Sequence, residues 1–300
     1  MSNLSATLTP VPSGTTSPVR KRSGFVWLMR ELAVKRSAQI GGSILILLVF
    51  CALFGNWIMP YDPFLVDALN RLKPPSLQHP FGTDELGRDI LSRIIYGSRY
   101  FVTISITAAA IAITGGVTLG LLAGAGPYWL DSLLMRIVDI MLAYPYILLV
   151  LAVVAILGPS LTTAMVAVGI AAIPGYARLV RGEVLSVRQT EYVEAMRALG
   201  ASQTRITFRT ILPNVMSSII IYASYATPLA VLSAAALSFL GLGAQPPIPE
   251  WGAMLVNART FMRTAWWTVT MPGLAIFISI LAMNLLGNAL RDVLDPRSSR

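Results

Sequence analysis

Residue types that make and break bonds are scarce in this chain. It has one histidine, His79, one cysteine, Cys51, and three lysines, Lys21, Lys35 and Lys73. A lone cysteine inside an apolar run forms no internal disulfide and no thiolate zinc cluster, and one histidine makes no multi-imidazole metal site. No lysine follows a loop of the GxxxxGK[ST] kind, so the sequence has no phosphate-binding P-loop and any use of ATP falls to a partner. No metal, cofactor or catalytic residue is expected. What remains is the chemistry of contact and charge, and it concentrates at 191–213, EYVEAMRALGASQTRITFRTILP, an Arg-rich stretch between two long apolar runs. Tyr192, Ala195, Met196 and Leu199 recur at i, i+3, i+4 and i+7, one face of a helix, with Glu191, Glu194 and Arg197 on the others. Thr190 is the expected cap, Glu191 suits the positive end of the helix dipole, and Gly200 suits a left-handed stop. Ser202 is expected to cap a second helical run that enters the next apolar segment at Pro213.

Such a helix must be held, and the rest of the chain supplies membrane spans to hold it. With 55% hydrophobic and 12% charged residues and a mean hydropathy of +0.68, the composition lies far outside soluble averages. The expected fold is all-α and integral to a lipid bilayer. The net charge of +9 comes from basic residues flanking apolar runs, which is a topology signal, so no nucleic-acid partner is expected. Residues 1–36 read as an N-terminal tail, Ser-, Thr- and Pro-rich through 19 and then basic. Six apolar runs follow, at 40–59, 100–126, 133–157, 161–180, 215–240 and 267–290. Arg178, Arg181, Arg188, Arg197, Arg205 and Arg209 place the loop between the fourth and fifth spans in the cytoplasm, with both termini on that side. Arg71, Lys73, Arg88, Arg93 and Arg99, between the first two spans, oppose this topology; the other segments favour it. The organisation is then a tail at 1–36, a first span and outer segment at 37–99, and a transmembrane domain at 100–296 that contains the loop 181–213.

Several smaller features carry two readings. PFGTDELGRDILSRIIYG is expected to form an amphipathic helix over 83–97 on the outer surface, with Gly82, Thr83 as its cap, Asp84 in the first turn, and Gly87, Arg88 and Asp89 along it. Asp139, inside a span, is expected to pair with Arg136 one turn away. Tyr144 and Tyr146 flank Pro145, which should kink the third span and turn rings toward a cavity. Ser218, Tyr222 and Tyr225 form a polar stripe usable as interhelical packing or as the lining of a path, and Asn284 and Asn288 invite the same two readings, with packing preferred.

E-A-M-x3-G from Glu194 to Gly200, followed by T-I-L-P ending at Pro213, resembles the EAA loop of membrane subunits of ATP-binding-cassette importers. Met196 replaces an alanine of that pattern, and Thr210 stands where isoleucine is expected. FGTDELGRDILSR, ALSFLGLGAQPPIPEWGAML and LRDVLDP extend the resemblance over residues 40–296 to the dipeptide, oligopeptide and nickel permease family, at its second permease subunit. The resemblance implies a type I importer transmembrane fold of six spans. It implies that Tyr192, Glu194, Ala195, Met196, Leu199, Gly200 and Pro213 form a coupling element. It also implies four partners: a homologous second permease, two ATPase subunits beneath, and a periplasmic substrate-binding protein above, for which the 83–97 segment is a docking candidate. The expected cargo is a short peptide crossing the inner membrane, with nickel or a glutathione-like solute as alternatives. A membrane hydrolase lacks paired catalytic groups here, and an ATP-independent carrier leaves the EAA-like loop unexplained.

Overall fold

Long apolar runs in a bilayer must satisfy their backbone internally, which leaves helices as the natural outcome. The computed structural model describes residues 25–294, and among them the only bridge is the isolated antiparallel pair Thr83 and Asp89. In chain order the helices are α1 (Phe25–Val34), α2 (Arg36–Ile58), α3 (Ile90–Ala125), α4 (Tyr128–Ala143), α5 (Tyr146–Leu157), α6 (Leu161–Arg188), α7 (Glu191–Ala198), α8 (Gln203–Ile206), α9 (Leu212–Phe239), α10 (Trp251–Ala258) and α11 (Trp267–Leu294). A π-helical turn, Thr207–Ile211, joins α8 to α9, so that Gln203–Phe239 runs as one rod. By length and composition, α2, α3, α6, this rod and α11 can each cross a membrane. The pair α4 and α5, which meet at 96°, makes a sixth crossing if counted as one.

The third span thus differs from a kinked helix. Tyr144 precedes a proline and is pushed into extended backbone (ψ 140°), Pro145 is itself extended (ψ 133°), and two such residues stop the helix outright. The Pro145 carbonyl then accepts from the amides of Leu148 and Leu149 and starts α5 afresh.

Small residues let the central helices approach closely. Along α3, Ala108, Ala112, Gly116, Gly120 and Gly124 recur every four residues on its buried side. A Cβ added at Gly120 would lie 2.6 Å from Cβ of Val180 and 2.8 Å from the carbonyl of Ala177, both on α6. Gly116 meets Tyr176 and Gly124 meets Val184 in the same way. Without hydrophobic drive between helices in lipid, such close packing is what holds them. α6 then packs on α9 through Val180, Val184, Ile211, Val215 and Ile219, and α2 lies on α11 where Gly41 abuts Ala282 and Leu285. The α1 helix, which falls in the segment expected to be a tail, lays Leu28 and Leu32 against Leu286, Ala289, Leu290 and Val293.

The segment before α3 corrects the expected amphipathic helix at 83–97. Gly82 and Gly87 have φ of +73° and +76°, which a helix does not allow, and the carboxylate of Asp84 binds the backbone amides of Leu86 and Arg88 as well as Nε of Arg88. Asp89, not Thr83, is the helix cap, accepting from the amide and hydroxyl of Ser92. Thr83 instead bonds to Asn70 and Lys73, and Gly82, Thr83, Asp84, Gly87, Arg88 and Asp89 are all buried. His79 Nδ1 lies 3.0 Å from Asp89 and its ring packs on Tyr61. Helix α3 starts at Ile90 and continues without a break through the second apolar run.

Candidate functional site

The short helix α7 sits at the tip of a hairpin made by two long rods. Only Gln189 and Thr190 separate it from α6, and it is followed within four residues by α8 and its continuation into α9. At about 1.5 Å per residue α6 is about 42 Å long, more than the roughly 30 Å of a hydrocarbon core, so α7 stands clear of the apolar zone.

Its boundaries follow from local chemistry. Thr190 occupies the cap position, yet its hydroxyl donates to the carbonyl of Val187 and does not cap α7. Glu191 and Glu194 lie in the first turn and Arg197 in the last, each at the favourable end of the dipole. At the far end Gly200 takes φ +83°, its amide donates to the Arg197 carbonyl, and the Ala201 amide donates to the Met196 carbonyl. These two bonds and a left-handed residue form a Schellman stop. Ser202 accepts from the Arg205 amide at 3.4 Å, and Pro213 lies in the first turn of α9, directly after the π-helical turn and within the continuous rod.

The helix has two faces. Val193 is fully buried against the α6 and α9 core, and Met196 turns toward the same core, where its sulfur lies 3.4 Å from the Thr210 hydroxyl. Tyr192, Glu194, Ala195 and Leu199 face outward; Tyr192 is 47% and Leu199 87% exposed. The apolar face expected from sequence is therefore divided: Met196 anchors the helix, and Val193, which the i, i+3, i+4 pattern passes over, is its main anchor. Glu183 of α6 accepts from the Ser218 hydroxyl of α9 at 3.0 Å, and Arg188 donates to the Gly124 carbonyl at the end of α3. These bonds tie the two rods to each other and to α3 just behind α7.

The expected path residues separate into two groups. Ser218 is engaged with Glu183, Tyr146 donates to the Val168 carbonyl at 3.3 Å, and Tyr222 packs edge-on against Tyr176 with centroids 4.7 Å apart. Tyr144 and Tyr225 are open at 59% and 66% exposure. Asn284 and Asn288, expected to pack, are both exposed on α11. Asp139 is bonded to Arg178 of α6 and not to Arg136, which points away into the open. A second acid of α4, Asp131, receives both Nε and Nη2 of Arg181; sequence spacing gave no sign of it because the partners are fifty residues apart.

Among the described residues no group of three His, Cys, Asp or Glu side chains gathers at metal-binding distance. The geometry is that of a multi-span membrane protein which presents a short helix with a Schellman stop at the tip of a hairpin of two long rods. Residues 116–300 match the family described as binding-protein-dependent transport system inner membrane component, and residues 27–75 match the N-terminal transmembrane domain of oligopeptide transport permease C. The chain belongs to this family of inner-membrane permeases, and it is a multi-pass inner-membrane protein. It is 47% identical to the di/tripeptide transport system permease protein DppC of Pseudomonas aeruginosa over 89% of this chain and 90% of that one. It is 42% identical to the dipeptide transport system permease protein DppC of Alkalihalophilus pseudofirmus, over 97% and 96% respectively. It is 47% identical to the glutathione transport system permease protein GsiD of Pectobacterium atrosepticum, over 89% of each. The solved inward-facing structure of the MetNI methionine transporter aligns with a TM-score of 0.58 over 69% of this chain and 98% of that chain, at 19% identity, and so shares the fold.

Proposed function

We propose that this chain is one permease subunit of an ATP-driven importer of short peptides, and that α7 is the part through which an ATPase drives it. The observation that carries this reading is the mounting of α7. Val193 and Met196 fix it to the core, links of only two and four residues join it to long helices on both sides, and Tyr192, Ala195 and Leu199 remain free for a partner's cleft. A helix held without slack passes a push on to the spans, whereas one on a loose loop absorbs it. The chain itself does no bond chemistry; ATP is hydrolysed by two subunits beneath it. A homologous second permease completes the path, and a substrate-binding protein delivers cargo to the opposite face, where the largely exposed segment 60–81 and the loop before α10 lie. In this orientation α7 and both termini are cytoplasmic. Tyr144 and Tyr225 are the residues best placed for the path, while Tyr146, Ser218 and Tyr222 serve packing.

Short peptides are favoured as cargo because the similar permeases are named for di- and tripeptides and for glutathione, itself a tripeptide. The test is uptake of labelled dipeptide, labelled glutathione and nickel into vesicles carrying the full complex. ATP-dependent accumulation of a peptide is the expected result, and accumulation of nickel alone would overturn the peptide reading.

A further inference from the structure

Helix α4 is thinly attached to the bundle. Of its sixteen residues only Val138 is fully buried, and the 96° break at Tyr144 and Pro145 cuts it off from α5 with no helical hydrogen bond across it. Beside its packing on α3 and α6, charge holds it. Arg181 of α6 grips Asp131 with two nitrogens, and the Asp131 side chain is only 15% exposed. Arg178, one turn earlier on α6, reaches Asp139 through a single nitrogen, and here the side chains are 58% and 59% exposed. On α6 the two arginines are about 4.5 Å apart along the axis, whereas the two aspartates are about 12 Å apart on α4. The helices therefore cross, and the two pairs hold the crossing at two points.

The pairs are unequal in what breaking them entails. Separating Arg181 from Asp131 breaks two bonds to a mostly enclosed carboxylate, while separating Arg178 from Asp139 breaks one bond between two side chains that the rest of the chain leaves uncovered. The helix that carries both arginines continues within two residues into α7. Any displacement of α7 thus reaches α4 before it reaches the break.

We propose that the Asp131 and Arg181 pair is a fixed pivot and the Asp139 and Arg178 pair a releasable latch, through which α6 sets the angle of α4 about Asp131 and so the position of the break at Tyr144 and Pro145. This makes all four positioning residues for transport, and it rests on the reading of α7 as the driven helix. Release of the latch lets the Ala143 end of α4 swing about Asp131 and carries the break with it; closure holds that end against α6.

The test uses the complete transporter in vesicles, with Cys51→Ser as background. Paired cysteines at 139 and 178, joined by a reducible bifunctional thiol reagent long enough for an Arg to Asp span, are expected to lower ATP-driven dipeptide uptake at least tenfold below the unbridged form, with recovery on reduction. The same reagent across cysteines at 131 and 181 is expected to restore uptake that the unbridged pair has lost. Equal effects of the two bridges, or full uptake with 139 and 178 locked, would overturn the latch. Spin labels at 139 and 178 give a readout that needs no cargo: their separation is expected to change when ATP binds, and a constant separation also overturns it. Failure of the unmodified transporter to import any dipeptide, with the separation still changing, would remove the peptide reading and leave the latch standing.

Discussion

Two places in the chain concentrate testable chemistry. Gly200 takes φ +83° with open space around it, so its role is conformational and not one of close packing. A β-branched residue at that φ costs roughly 1–2 kcal/mol and reorients the stop of α7. Gly200→Val is expected to abolish uptake while membrane insertion, measured by expression and protease accessibility, is retained. Glu194→Lys, which reverses an exposed charge beside the free apolar face, is expected to do the same, and normal transport by both variants would remove α7 from the drive. Glu250, outside the spans, is the second. It caps α10 by accepting from the amides of Gly252 and Ala253, yet burial dominates and pushes its carboxyl above the usual carboxylate range. A raised folded-state value means that the folded protein binds the proton more tightly than the unfolded chain, so stability falls as pH rises through the window above the ordinary glutamate value. Wild type is therefore expected to lose thermal stability relative to Glu250→Gln as pH goes from about 4.5 toward neutral. Melting curves of the two proteins that stay parallel across that range would contradict the shift.

At the scale of elements, the sequence states some parts plainly and hides others. The stop at Gly200 is legible because one residue type decides it. The expected 83–97 helix failed because its i, i+3, i+4 pattern is real only from Ile90 onward; before that, two glycines and the Asp84 carboxylate favour a turn, and glycine spacing outranks amphipathic spacing. The 96° break at Tyr144 and Pro145 was marked by its proline, but its size depends on both residues being extended, which periodicity does not record. Asp139 was matched to Arg136 by proximity in sequence, and the α4 to α6 crossing provides Arg178 in its place. The small-residue ladder of α3 is readable at four-residue spacing, and it has the largest mechanical consequence. Gly120→Val would drive its Cβ into Val180 and the Ala177 carbonyl, an overpacking cost of about 1–3 kcal/mol or more where both neighbours are backbone or fully buried. The expected outcome is a clear drop in thermal stability in detergent, with the larger loss in Gly120→Leu; an unchanged melting temperature would mean that α3 and α6 separate more freely than their seam implies.

At the scale of the whole molecule, the face left open in a single chain defines where the rest of the transporter goes. Consecutive spans α9 and α11 run antiparallel and meet where Gly287 lies against Ser224. Tyr225 and Asn288 are each one residue further on, about 100° around their own helices, and in an antiparallel pair those two rotations bring them to the same side of the seam. Asn284, one turn before Asn288, joins them there. Exposed amides within a span are costly against lipid, so this side belongs either to the interface with the second permease or to the aqueous path. Reactivity distinguishes the two. With Cys51→Ser as background, a cysteine at Asn284 or Tyr225 that lines the path is expected to react with a small charged thiol reagent in the nucleotide-free complex and to be at least tenfold slower with ATP bound and the inner mouth closed. A position buried between permeases reacts in neither state, and a position facing lipid reacts with an apolar maleimide in both. The alternating pattern is the one expected, because Tyr225 lies only three residues beyond Tyr222, whose ring is fixed on α6, the helix that α7 is proposed to drive.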